Sequence, residues 1–108
     1  MPLHILKLCV GIDSVEGLRK AQASRLERDG AIMHYTRYRP KRAVEVLSGG
    51  SIYWIIRGFV QVRQRIISIK TADSSSAKRC ILVLDQELFP TDLQPRKPHQ
   101  GWRYLNQH

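Results

Sequence analysis

The sequence predicts a small α+β domain built on a curled or barrel-like, mainly antiparallel β-sheet with two helices. Three observations lead there. Five or six short stretches alternate or run apolar in the manner of strands, and only two stretches carry helical start and stop signals. One of these falls near the N-terminus and the other just before the main hairpin, an arrangement suited to helices set against one sheet. With 108 residues, no internal repeat and no linker long enough to divide it, the chain reads as a single domain, 1–108.

Residues 4–10 alternate as a first strand, with Leu6, Leu8 and Val10 on one face and Lys7 on the other. Asp13 followed by Glu16 predicts a capping box. A helix is then expected from Ser14 to Arg28, with a thin apolar stripe of Val15, Leu18, Ala21 and Leu26, ended by Asp29-Gly30. Residues 32–38 predict a second strand, in which Ile32, His34, Thr36 and Tyr38 alternate with Met33, Tyr35 and Arg37. Pro40 suits the first position of a short helix through Leu47, and Gly49-Gly50 stops it. The stretches "SIYWIIRG" and "FVQVRQRIISIK" predict two strands punctuated at Gly58. In the second, Val60 and Val62 point one way and Gln61, Arg63 and Arg65 the other, until Ile66-Ile67 breaks the phase and implies a bulge near Gln64. "TADSSSAKR" reads as a polar loop, and "CILVLD" as a strand covered on both faces. Pro90, Pro95 and Pro98 keep the C-terminal residues out of helix, leaving an extended tail with a last short strand from Trp102 to Leu105 that closes the sheet.

Composition narrows the partners. The net charge is +9, and residues 30–108 carry most of it, 13 Lys/Arg against five Asp/Glu. Such a field draws polyanions, nucleic acid first. Cys9 and Cys80 sit inside apolar runs with no CxxC or Cys/His spacing, which predicts two buried thiols in a reducing compartment. No segment has the roughly 20 consecutive apolar residues that span a membrane. The N-terminal stretch, interrupted by Lys7, makes a poor signal peptide, so the expected location is cytoplasmic.

The catalytic repertoire is thin. His4, His34, His99 and His108 have no metal-ligand spacing, no cofactor motif is present, and no cofactor is expected. Asp85 and Glu87 lie two apart at a strand end, and together with His99 they are the residues a small hydrolase of nucleotides or amides would use. The basic and aromatic residues say more. Between Gly30 and Ala72 stand eight Lys/Arg against one acid, Glu45, with Tyr35, Tyr38, Tyr53, Trp54 and Phe59 among them. Cations hold phosphates and aromatic faces stack on unpaired bases, so this mixture suits nucleic acid, RNA above all. The residues expected to carry it are Arg37, Tyr38, Arg39, Lys41, Arg42, Arg57, Arg63, Arg65, Trp102 and Arg103. A protein-interaction subunit using an exposed Trp/Tyr patch is the remaining alternative.

"LHILKLCVGIDSVEGL", "RPKRAVEVLSGGSIYWIIRG", "VQVRQRI", "RCILVLDQEL" and "PHQGWRYL", in that order, resemble an uncharacterised bacterial family, a domain of unknown function, over nearly the whole chain. More distantly the order of parts is similar to that of the EVE members of the PUA-like superfamily, small barrels that bind RNA or modified bases. That resemblance implies a PUA-like pseudobarrel and a nucleic-acid ligand. Where EVE-like chains carry a Tyr-His-Ser type sequence along the base pocket, this one has Ile55-Ile56-Arg57-Gly58, and the Gly-x-Lys-x-x-x-x-Arg motif of the related ASCH group is missing.

Overall fold

Leu3 and Ile5 face one side of the first strand, β1 (Leu3–Leu8), and His4 and Leu6 the other, and all four are buried. The strand is shorter than the alternation suggests. The chain turns at Val10-Gly11, where Gly11 takes φ 78, so Val10 is 76% exposed instead of facing inward. The structure, a computed structural model, describes residues 2–74, 77–97 and 99–106. His108, Pro98 and the Ser75-Ser76 part of the predicted loop lie outside the described residues.

Helix α1 (Val15–Asp29) is capped by Ser14 and not by the Asp13–Glu16 box. Ser14 is extended, with φ −155 and ψ 157, and its hydroxyl accepts from Gly17 N at 2.9 Å, which satisfies a first-turn amide one residue later than predicted. Gly30 ends the helix as expected, at φ 75, returning its N–H to Leu26 O at 2.9 Å. Strand β2 (Ile32–Thr36) turns its Ile32, His34 and Thr36 inward and stops short of Tyr38, because the backbone bends at Arg37 and the Thr36 hydroxyl donates to Tyr38 O. Helix α2 (Ala43–Leu47) begins three residues after Pro40. Pro40 is buried in its own right and is not the first helical residue.

Four strands complete the sheet: β3 (Ser51–Ile56), β4 (Phe59–Ser74), β5 (Ala77–Pro95) and β6 (Trp102–Asn106). Their order is β2-β5-β4-β3-β1-β6, with only β1 and β3 parallel. The result is the small α+β fold expected, a curled, mostly antiparallel half-barrel with two helices. Two predicted irregular segments are in fact ladder. The β4–β5 pairing runs out to Ser74 opposite Ala77, so most of "TADSSSAKR" is strand. The supposed tail after Glu87 belongs to β5, which passes through Pro90, beside a register shift, and pairs Pro95 with Phe59. In "CILVLD" only Cys80, Leu82 and Leu84 are buried, whereas Ile81 and Val83 are half-covered. Trp102 to Leu105 does form the closing strand, antiparallel to β1.

The hairpin between β3 and β4 turns on two residues, Arg57 and Gly58, at φ 52 and 81. Both central residues in the left-handed region match the twist of the flanking strands. A little beyond the turn, Gln61 is extra: Trp54 pairs with Val62 but Ile55 with Val60. This bulge puts Val60 and Val62 on opposite faces, contrary to the simple alternation, while the Gln61 side chain donates to Ile56 O at 2.7 Å. The predicted break at Ile66-Ile67 is present as register shifts on either side of Ile66.

The larger core contains Leu3, Ile5, Ile52, Trp54, Val62 and Leu84, with Leu18 of α1 and Ala43 and Val46 of α2 packed on the same side. A smaller cluster of Leu6, Ile55 and Val60 occupies the other face. Inside the larger core sits a polar residue, Gln64, with all its hydrogen-bonding capacity used. Its Nε2 donates to Gln22 Oε1 at 2.7 Å and Asp85 O at 2.6 Å, and its Oε1 accepts from Gln22 Nε2 at 2.9 Å and Trp54 Nε1 at 3.1 Å. One amide thus ties α1, β3 and β5 to β4.

Replacing Gln64 with Leu strands three buried polar groups, so urea unfolding should show a loss of about 3 kcal/mol or more. In a double-mutant cycle with Trp54→Phe, which removes one stranded donor, the two losses should fall short of additivity by roughly 1 kcal/mol. Gly50 makes a second demand. A Cβ there would overlap Leu3 O and Val46 O, both backbone, so Gly50→Ala should cost about 3 kcal/mol in the same assay.

Candidate functional site

The sheet does not close. Its outer strands β2 and β6 face each other across a seam held by side chains: Trp102 Nε1 donates to Tyr38 O at 3.0 Å, and Arg42 N donates to the Tyr104 hydroxyl at 3.0 Å. Along this seam lies a cleft of about 330 Å³, walled by Tyr35, Thr36, Arg37 and Tyr38 on one side and by Gln100, Gly101, Trp102 and its register partner Lys7 on the other. Trp102 is fixed by an edge-on contact with Tyr104, ring centroids 4.9 Å apart. Tyr38, by contrast, is 69% exposed and free to present a ring face.

The cleft therefore unites three of the ten predicted residues, Arg37, Tyr38 and Trp102. The others are dispersed. Arg39 donates Nη1 to Ile69 O at 3.1 Å and braces the segment after β2 against β4. Arg42 is paired with Glu45, at 2.7 Å from Nη2 to Oε1, and lies over the Tyr104 ring at 5.7 Å. Its charge is already matched, and the contact holds the Glu45 carboxyl below its ordinary range. Arg39, Lys41 and Arg42 precede the start of α2, but that helix is five residues long and the Arg42 N–H is already donated to the Tyr104 hydroxyl. Lys41 is exposed, and Arg57 stands at the hairpin tip.

Arg63 and Arg103 occupy the opposite face from Trp102. The register aligns Arg103, Leu6, Tyr53, Arg63 and Phe89 in one cross-strand row, with Arg63 over the Phe89 ring at 4.6 Å. Three strand spacings separate the two guanidinium-bearing positions, about 14 Å. Arg65 is exposed one row further along the same face, opposite Ser51. On the closing strand the neighbours divide cleanly: Trp102 packs on the core and Arg103 is exposed. Asp85, Glu87 and His99, the residues of the hydrolase alternative, line neither this cleft nor the two recesses beside it.

Those recesses involve residues that the sequence did not single out as a site. Between α1 and the sheet an inner space of about 70 Å³ is lined by Cys9, Gln22, Arg25, His34 and Trp54, among others. A wider recess of about 370 Å³ adjoins it, with Arg25, Arg28, Asp29, Met33, His34 and Tyr35. Burial dominates the electrostatics here. It pushes the Cys9 thiol up to about 11, against the opposing pull of Lys7 and Arg25, so the thiol is protonated at neutral pH. Burial, reinforced by Lys7 and then Arg25, draws His34 from 6.5 down to about 4. Lys7 is itself lowered by burial. Both cysteines are free and buried, as expected. Among the described residues no group of His, Cys, Asp or Glu is placed to hold a metal ion, and no helix is long and apolar enough to cross a membrane.

Lys7 and Arg25 are inconspicuous in the sequence because each stands alone in an otherwise apolar or helical pattern, and only the fold brings them beside His34. The consequence is measurable. Between pH 6.5 and about 4 the unfolded chain binds a proton at His34 that the folded chain refuses. Its contribution is thus complete above pH 6.5 and lost as pH falls through that window, about 3 kcal/mol in all. His34→Phe should flatten this part of the stability-versus-pH curve in denaturant titrations; an unchanged slope would show that other groups cause it.

No curated protein and no solved structure matches the chain. A protein family does: residues 5–108 match the one described as protein of unknown function, DUF1489. That match takes in both helices and nearly all of the six strands, the cleft included, and the chain belongs to the DUF1489 family.

Proposed function

We propose that the protein binds nucleic acid, RNA above all, in the cleft between β2 and β6. The observation that carries this reading is the meeting of Arg37, Tyr38 and Trp102 in one recess, although they come from distant parts of the chain, with Lys7 and Tyr35 added by the fold. A cation on each wall of the cleft, Lys7 and Arg37, together with an exposed tyrosine suits a single strand, whose phosphates need charge and whose bases need a ring to stack on. The net charge of +9 favours the same class of ligand at longer range. The resemblance of the sequence to PUA-like chains adds to the case for RNA.

Fluorescence anisotropy with labelled single-stranded RNA tests the proposal. If two to four phosphates are engaged, a threefold rise in salt should weaken binding about 5- to 20-fold. Arg37→Ala should reduce the salt dependence by about one phosphate's worth, and Tyr38→Ala should cost about 1–3 kcal/mol of affinity. Arg63→Ala and Arg103→Ala, on the other face, should leave binding nearly unchanged. Equal losses from both faces would move the site away from the cleft, and no binding to any oligonucleotide at low salt would end the reading altogether.

A further inference from the structure

His34 does something that neither the core nor the cleft explains. Its ring stands perpendicular to Trp54, centroids 5.0 Å apart, and lines both the inner space and the wider recess beside it. The Nε2 atom is buried and has no hydrogen-bond partner. A buried polar atom left so costs free energy that a well-packed protein ordinarily recovers with a partner.

Its charged surroundings are one-sided. Arg25 of α1 lines both spaces, and Lys7 of β1 acts on His34 from the sheet. The other titratable groups lining the two spaces are the Cys9 thiol, protonated at neutral pH, and, in the wider recess, Tyr35 and the Arg28–Asp29 pair. Asp29 is the carboxylate of that recess, and Arg28 holds it with two contacts of 3.1 Å, while Arg25 acts on it more weakly than Arg28 does. Size sets a further limit. A space of about 70 Å³ has the volume of roughly two waters, enough for a small oxyanion head and too small for a base or sugar.

We propose that this recess is an oxyanion site, taking phosphate or the phosphate end of a phosphomonoester between the Arg25 guanidinium and His34 Nε2, with Lys7 as supporting charge. Nε2 accepts the P–OH proton of the monoanion or, once protonated, donates to an unprotonated oxygen. Either bond satisfies the orphaned atom, and Arg25, whose side chain is exposed, adds a planar fork suited to phosphate. The site does not depend on the nucleic-acid reading.

Inorganic phosphate is the first probe, ribose 5-phosphate the second, and sodium chloride at equal ionic strength the control, with the His34 ring protons of the full chain followed by NMR. The ring signals should move saturably with phosphate, and the His34 pKa should rise by about one unit or more once an anion lies beside it. Arg25→Ala should weaken the response at least about tenfold, a loss in keeping with removal of a charged hydrogen-bond partner. Tighter binding of ribose 5-phosphate identifies a phosphomonoester as the ligand, and equal or tighter binding of phosphate identifies the free ion; both support the site. No saturable shift up to about 10 mM phosphate overturns the proposal, as does an equal response in Arg25→Ala. Binding of 5′-hydroxyl RNA by Arg25→Ala separates the two readings, since the cleft does not contain Arg25 and should be unaffected.

Discussion

Everything in the larger core is arranged around one amide that cannot be left unsatisfied. Gln64 sits on the inner face of β4, and its four hydrogen bonds reach a helix, a neighbouring strand's indole and a backbone carbonyl of β5. A buried amide of this kind discriminates among packings more sharply than apolar contacts do, since a shift of an ångström breaks several bonds at once and exposes none of the groups to water. Gln22 places α1, and with α1 placed, Arg25 is delivered to the rim of the recess that contains His34. Trp54, held by the same amide, forms the wall against which the His34 ring stands. The fold and the inner recess are therefore consequences of a single set of contacts.

Charge is distributed by the same logic of placement. A net charge of +9 suggests a positive face, but the fold assigns its cations to different tasks. Arg39 and Arg42 hold the connection around α2 in place, Arg63 lies on a phenylalanine, and Arg37 stands at the seam. Long cationic chains often contribute through their stems and their geometry as much as through their charge. What matters for a ligand is which charges remain unmatched in a concave place, and on that criterion the seam and the α1–β2 recess stand out from the rest.

Much of the fold was legible in the sequence. The start of the closing strand at Trp102, the Gly30 and Gly49-Gly50 stops, and the hairpin at Gly58 follow from local chemistry and appear where expected. The break at Ile66-Ile67 was also visible, because a phase change in alternation has few other causes. What escaped was non-local. The bulge at Gln61 leaves no trace in composition, yet it reverses the facing of Val60 relative to Val62. The prolines ruled out helix but did not reveal that the extended tail pairs with β4, with Pro90 tolerated beside a register shift. Of the candidate site, Arg37, Tyr38 and Trp102 were found by residue type; Lys7, Arg25 and His34 acquire meaning only from strand order, which no local pattern encodes.

The pairing of Leu3 with Asn106 has a kinetic side. β1 is complete only when strands from distant parts of the chain have come together, β3 on one flank and β6 on the other. Contacts so distant in sequence form slowly, because the closure entropy of a long loop must be met before the contact gives any return. Until β6 arrives, one edge of β1 presents unpaired amides and carbonyls beside Leu6 and Ile5, a template for the strands of another molecule. The half-barrel is thus open to misassembly at this edge for as long as β6 remains undocked, and the β1–β6 pairing is what closes it.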